Sequence, residues 1–143
     1  MNITDLFGDE DTAVKKRGEH ILVVDDEEDV REGLGRLLEM EGYDVTTAEN
    51  GLVALERAKE QRFDLVLTDL RMPGLGGVET LIGLKQLHPE MPVIMVTAYA
   101  SAETVDRCKH EGAYGYVMKP FDLKHLLRVI EEAVPTGKPP LAS

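Results

Sequence analysis

Four polar clusters in this chain each stand at the end of an apolar run. Asp25 and Asp26, with Glu27 behind them, follow the run at 21–24, and Asp69 ends the run DLVLTD at 64–69. Thr97 closes the run that begins at Val93, and Lys119-Pro120 follow the run at 114–118. If these groups meet, three carboxylates, a hydroxyl and an ammonium share one place. Carboxylates with ~4 Å between their charges repel by about 4 kcal/mol at an effective dielectric near 20, so such a group either shares a proton or surrounds a cation. No histidine or cysteine accompanies them, and a set of hard oxygen donors suits Mg²⁺ (or Mn²⁺), which takes one or two carboxylates and keeps several waters. A divalent cation, a lysine and a hydroxyl around a carboxylate are the parts that phosphoryl transfer needs, because its transition state calls mainly for positioning and charge stabilisation. Asp69 is then the candidate nucleophile, since an aspartate is ionised at neutral pH without a general base. A lone aspartate in a loop ordinarily points into water. Convergence of all four clusters would need a different reason.

Convergence depends on the elements that carry them. Residues 20–25, 43–48, 64–69, 93–96 and 114–118 read as strands. Between and after them, apolar residues recur at helical spacing: Val30, Leu34, Leu37 and Leu38; Leu52, Leu55 and Ala58; Val78, Leu81, Ile82 and Lys85; a poorly apolar stretch at 101–111; and Leu123, Leu126, Leu127, Ile130 and Val134. Gly42 reads as the C-cap of the first helix and Asn50-Gly51 as a turn. Five strands alternating with five helices predict a doubly wound parallel sheet with helices on both faces, because the crossovers are right-handed. The first, third and fourth runs are the most apolar and belong at the centre; the second and fifth carry more polar residues and belong at the edges. In such a sheet ligands bind beyond the carboxyl ends of the strands, where the strand order reverses. Every strand but the second delivers a charged or hydroxyl group to that rim.

The clusters VVDDE at 23–27, LTDLRMPG at 67–74, VTAYA at 96–100 and YVMKPF at 116–121, in this order, resemble the motifs of bacterial response-regulator receiver domains of two-component signalling. The resemblance covers about residues 19–134. It implies a flavodoxin-like three-layer sandwich with strand order 2-1-3-4-5, the order the fold's known receivers show. By motif position, Asp69 resembles the phospho-acceptor, Asp26 a direct Mg²⁺ ligand, and Asp25 a ligand acting mainly through water. The main-chain carbonyl of Arg71 resembles a further ligand. Thr97 resembles the switch hydroxyl, Lys119 the partner of the phosphoryl group, and Tyr116 the aromatic that turns inward with Thr97. The resemblance also implies a cis peptide between Lys119 and Pro120. Arg71 and Tyr99 occupy the two positions said to tune loss of the phosphoryl group, here towards slow dephosphorylation. The implied donor is a phosphohistidine on a sensor histidine kinase or phosphotransfer protein. The implied output is a changed surface on helix four, strand five and helix five, read by a downstream effector domain or protein or by a phosphorylation-dependent dimer. Helix four, anchored only by Ala102, Val105 and Cys108, is the element expected to shift most easily.

Composition narrows the alternatives. The 143 residues carry 27 acidic and 16 basic side chains, a formal charge of −11, which opposes direct nucleic-acid binding and anionic membranes. Cys108 is the single cysteine, so no internal disulfide forms, in keeping with a reducing cytoplasm. Residues 1–18 read as an N-terminal tail, 19–134 as one domain, and 135–143, rich in proline and small residues, as a C-terminal tail or linker stub. His20, His88, His110 and His125 lie too far apart to pair on a metal. No phosphate loop of the nucleotide-binding kind follows the first strand. An aspartate-nucleophile phosphatase is the rival from another class, but such enzymes carry Asp-x-Asp on strand one, where this chain has Asp25-Asp26-Glu27. A receiver-like interaction module that takes no phosphate is the second. The expectation is a phosphorylatable switch rather than an enzyme acting on a metabolite.

Overall fold

A computed structural model describes residues 18–71, 74–98 and 101–134. Among them the elements are β1 (His20–Val24), α1 (Glu28–Met40), β2 (Asp44–Ala48), α2 (Gly51–Glu60), β3 (Leu65–Thr68), α3 (Gly77–Leu87), β4 (Val93–Thr97), α4 (Ala102–His110), β5 (Gly115–Met118) and α5 (Leu123–Ala133). Residues 1–17 and 135–143, within the segments expected as tails, and Tyr99 lie outside the described residues. All strands pair in parallel, in the order β2-β1-β3-β4-β5. The three most apolar runs are central and the two more polar ones form the edges, as their composition predicts.

Alternation along each strand divides the core in two. Ile21, Val23, Leu65, Leu67, Ile94 and Val96 face α1 and α5, where Leu34, Leu38, Leu126 and Ile130 meet them. Leu22, Val24, Val66, Val93 and Met95 face the other way, onto Ala54 and Ala58 of α2, Leu81 and Leu84 of α3, and Cys108 of α4. A fully buried large apolar side chain contributes about 1.5–3 kcal/mol, so these two layers hold the sheet between them. No helix among the described residues is long and apolar enough to cross a membrane.

Local chemistry sets the ends of the helices. Gly42, at φ 100°, leaves α1 through a left-handed conformation that a side chain would resist. Asn50-Gly51 proves to be a helix start rather than a free turn, because Asn50 Oδ1 accepts a hydrogen bond from Val53 N at 2.8 Å. The helical phase of α2 follows from that start. It buries Gly51, Ala54 and Ala58 and leaves Leu52 61% exposed, so Leu52 is not on the core face that the spacing suggested.

The amino-terminal pole of the sheet carries a polar clasp. His20 N donates to Asp64 Oδ2 at 2.8 Å and Asp64 N returns a bond to His20 O at 2.8 Å. The His20 ring bonds Thr46 Oγ1 at 2.7 Å and stands edge-on to Phe63, with centroids 5.0 Å apart. One side chain thereby ties β1 to β2 and to the approach to β3.

Candidate phosphoryl-transfer site

Parallel strands end on one rim, and the ladder fixes which residues emerge together. Asp25 N donates to Ala48 O at 3.1 Å and Asp69 N donates to Val24 O at 3.1 Å, so each aspartate extends the ladder one residue beyond its strand. Since β1 and β3 are neighbours, their carboxylates emerge side by side. Oxygen atoms of Asp25, Asp26 and Asp69 lie within 4.8 Å of one another. Asp25 and Asp69 are buried and Asp26 is exposed.

Lys119 closes the site from the far side of the sheet. Its Nζ donates to Asp25 Oδ2 at 2.8 Å and to Asp69 Oδ2 at 3.0 Å. Its own N–H donates to Thr97 O at 2.9 Å, which ties the β5–α5 loop to the end of β4. The Lys119–Pro120 peptide is cis. Burial alone would push the Lys119 ammonium down, but its hydrogen bonds to Asp25 and Asp69 and their charges outweigh burial and raise its pKa above the ordinary lysine value. A raised lysine pKa stabilises the fold at every pH below the ordinary lysine range and is lost only as pH climbs through the folded value. The pairing therefore holds undiminished at neutral pH.

One ammonium against three carboxylates leaves a surplus of negative charge on the rim. The donors are all carboxylate oxygens, two of them buried, with the third open to solvent. A hard, hydrated divalent cation fits that set: oxygen ligands, uncompensated charge, and an open side for the waters such an ion retains.

The other sequence-predicted residues lie on β4, on β5 and in the loop after β3. Thr97 is 1% exposed at the end of β4. Tyr116 is half-buried on β5, beside Met95, and packs against the core layer of α2, α3 and α4. Arg71 is exposed, and its N–H donates to Asp69 Oδ1 at 3.2 Å. The tuning position Tyr99 falls outside the described residues.

Two supporting residues escaped the sequence reading. A Cβ on Gly77 would sit 2.5 Å from Leu70 Cα and 2.7 Å from Asp69 O, so only glycine lets the first turn of α3 rest on the peptide that follows Asp69. The adjacent Gly76-Gly77 pair at a helix start was the available signal. Arg31 reaches back from α1 and donates from Nη1 to Asp25 O at 2.9 Å. An arginine directly after the acidic first turn of α1, Glu28 and Asp29, was the hint there.

The family model for the response regulator receiver domain matches residues 21–131. The chain is 44% identical over 114 residues to the transcriptional regulatory protein ZraR of Klebsiella oxytoca, covering 80% of this chain but 26% of that protein. It thus spans about a quarter of the length of such regulators. It is 36% identical over 117 residues to sporulation initiation phosphotransferase F of Bacillus subtilis (strain 168), covering 82% of this chain and 94% of that one. Among solved structures, a CheY-like response regulator receiver domain protein from Methanospirillum hungatei JF-1 superposes with a TM-score of 0.79 at 36% identity, covering 81% of this chain and 93% of that one. With the carboxylate rim, the strand order and these relatives in agreement, the chain belongs to the response regulator receiver domain family of two-component systems.

Proposed function

We propose that this receiver domain accepts a phosphoryl group on Asp69, assisted by Mg²⁺ (or Mn²⁺), and thereby switches the surface of α4, β5 and α5. The observation that carries the reading is the Lys119 ammonium bonded to both Asp25 and Asp69 within a rim of three carboxylates. A phosphohistidine of a sensor histidine kinase or phosphotransfer protein is the donor. An Asp69 oxygen forms the new bond to phosphorus as the P–N bond breaks, and the imidazole nitrogen keeps that electron pair. Asp25, Asp26, Asp69 and the main-chain carbonyl of Arg71 would hold the cation, which when bound neutralises charge on the transferring oxygens. Lys119 supplies a second positive charge to the same oxygens. The Arg71 N–H steadies Asp69 Oδ1 while the bond forms.

Phosphorylation adds about −1.5 to −2 charge. New charge-assisted hydrogen bonds from Thr97 and Lys119 are worth about 1.5–3 kcal/mol each, and moving a population from 1:99 to 99:1 takes about 5.5 kcal/mol. Two or three such bonds, about 3–9 kcal/mol together, span that requirement, and one falls short of it. Thr97 drawn toward the phosphoryl group frees space into which Tyr116 turns, and α4 follows. The reading treats 19–134 as the functional unit, in the cytoplasm, and as a switch rather than an enzyme acting on a metabolite. It includes an effector domain or protein, or a second phosphorylated copy, as the partner of that face, and slow loss of the phosphoryl group set by Arg71 and Tyr99.

Incubation with acetyl phosphate and Mg²⁺ followed by intact-mass measurement tests the reading. One added phosphate in the wild type and none in Asp69→Asn supports it. An unmodified wild type points to an interaction module, and turnover of a simple phosphomonoester to a phosphatase. Loss of the label within seconds would remove the tuning roles of Arg71 and Tyr99.

A further inference from the structure

Asp25 is held at every polar atom it has. Its N–H donates to Ala48 O at 3.1 Å, its Oδ1 accepts from Glu27 N at 2.9 Å, and its Oδ2 accepts from Lys119 Nζ at 2.8 Å. Its carbonyl accepts from Arg31 Nη1 at 2.9 Å. The first three partners belong to the strand ladder, the adjoining turn and the site lysine. The fourth comes from α1, and its side chain is 14% exposed, so the guanidinium is packed in place rather than sampling solvent. The carbonyl it bonds belongs to the peptide that joins Asp25 to Asp26. That peptide plane decides where the exposed Asp26 projects relative to the two buried carboxylates.

The geometry points to Arg31 as a positioning residue for the cation: it fixes the Asp25–Asp26 peptide so that both carboxylates face the ion, although as a cation itself it repels one. This inference rests on the proposed Mg²⁺ site and deepens it. Partners that orient metal ligands from behind typically govern affinity by about 10–100-fold. Arginine suits the task because its planar, delocalised group stays charged and donates along a fixed direction while partly buried.

The two possible roles of Arg31 predict opposite signs. A cation acting only through its charge weakens Mg²⁺ binding, so its removal tightens binding. A positioning residue strengthens binding, so its removal weakens binding in spite of the lost repulsion. The experiment is calorimetric titration of Mg²⁺ into the wild type, Arg31→Ala and Arg31→Lys, with the thermal midpoint of each protein recorded. The expected result is a dissociation constant raised about tenfold in Arg31→Ala and partly restored in Arg31→Lys, which keeps the charge and one donor. Tighter binding in Arg31→Ala overturns the inference, as does an unchanged constant with a lowered midpoint, which makes Arg31 a support of α1 alone. If Arg31→Ala unfolds, Arg31→Lys decides against the wild type: a raised constant sustains the proposal, and an unchanged or lowered one overturns it. A wild type that binds no Mg²⁺ removes the metal site itself along with the inference, and that result is distinct from the others.

Discussion

Helices α3 and α4 flank the same half of the sheet, yet they are attached in different ways. α3 buries Gly77, Thr80, Leu81 and Leu84. It is fastened at its start by Gly77 N to Leu70 O at 3.0 Å, and by Thr80, whose side chain lies directly against Gly51 of α2. It is fastened at its end by Lys85 Nζ to Met91 O at 3.0 Å and by the His88 ring to Ala58 O at 2.8 Å. α4 buries Cys108 alone, and Ala102 is exposed instead of serving as an anchor. Its start is held by its own cap, with Ser101 Oγ accepting from Thr104 N at 3.1 Å. The helix that follows Asp69 is bolted to the core, and the helix that follows Thr97 is nearly self-contained. An element attached by one small buried side chain is within reach of the few kcal/mol that a handful of hydrogen bonds can supply.

The contrast predicts unequal responses to mutation. Leu81→Ala should cost about 2–5 kcal/mol in urea unfolding, whereas Val105→Ala, half-buried on α4, should cost under about 1 kcal/mol. Equal costs would break the comparison. Gly77→Ala should cost about 1–3 kcal/mol, because the added methyl meets backbone that has nowhere to go. It should also slow acceptance of phosphate on Asp69 more than it lowers the melting temperature accounts for. A freely phosphorylated Gly77→Ala would show that α3 does not brace the acceptor.

Smaller effects sharpen the picture of α4. Ser101→Ala should cost about 1 kcal/mol, and amide exchange should speed up within α4 while α3 is unaltered. Uniform acceleration across both helices would mean that they open as one unit. Burial pushes the Cys108 thiol up, with the nearby Arg107 charge pulling it partly back. A thiol whose folded pKa is raised leaves stability intact below the ordinary range near ~8.5 and lowers it above, because the unfolded chain ionises first. Wild type should therefore lose slightly more stability than Cys108→Ala between neutral pH and about pH 9.5. Matching losses would mean that α4 opens readily enough to solvate the thiol.

What the sequence discloses differs for strands, helices and site. The strands are legible because both faces of a central parallel strand are covered, which leaves unbroken runs such as Ile21 to Val24. Their convergence at the rim follows from parallel topology, so Asp25, Asp26, Asp69 and Lys119 could be named without coordinates. Helix faces are less legible. Leu52 fits the apolar spacing of α2, but the helix begins at the Asn50 cap and its narrow face is filled by Gly51, Ala54 and Ala58 instead. Close packing leaves still less trace: the Gly76-Gly77 pair and an arginine after an acidic turn are hints, but neither names Leu70 backbone or the carbonyl of Asp25 as the partner. Those depend on how elements dock, which pattern alone does not encode.

The knot that His20 makes with Asp64, Thr46 and Phe63 lies at the pole opposite the carboxylates. The ladder carries that tie from the knot to the rim, where Asp25 N still bonds Ala48 O and Asp69 N bonds Val24 O. β1, β2 and β3 are thus a plank nailed at both ends, whereas α4 joins β4 to β5, which the knot does not touch. Changing His20 should therefore lower the melting temperature while leaving amide exchange within α4 as it was.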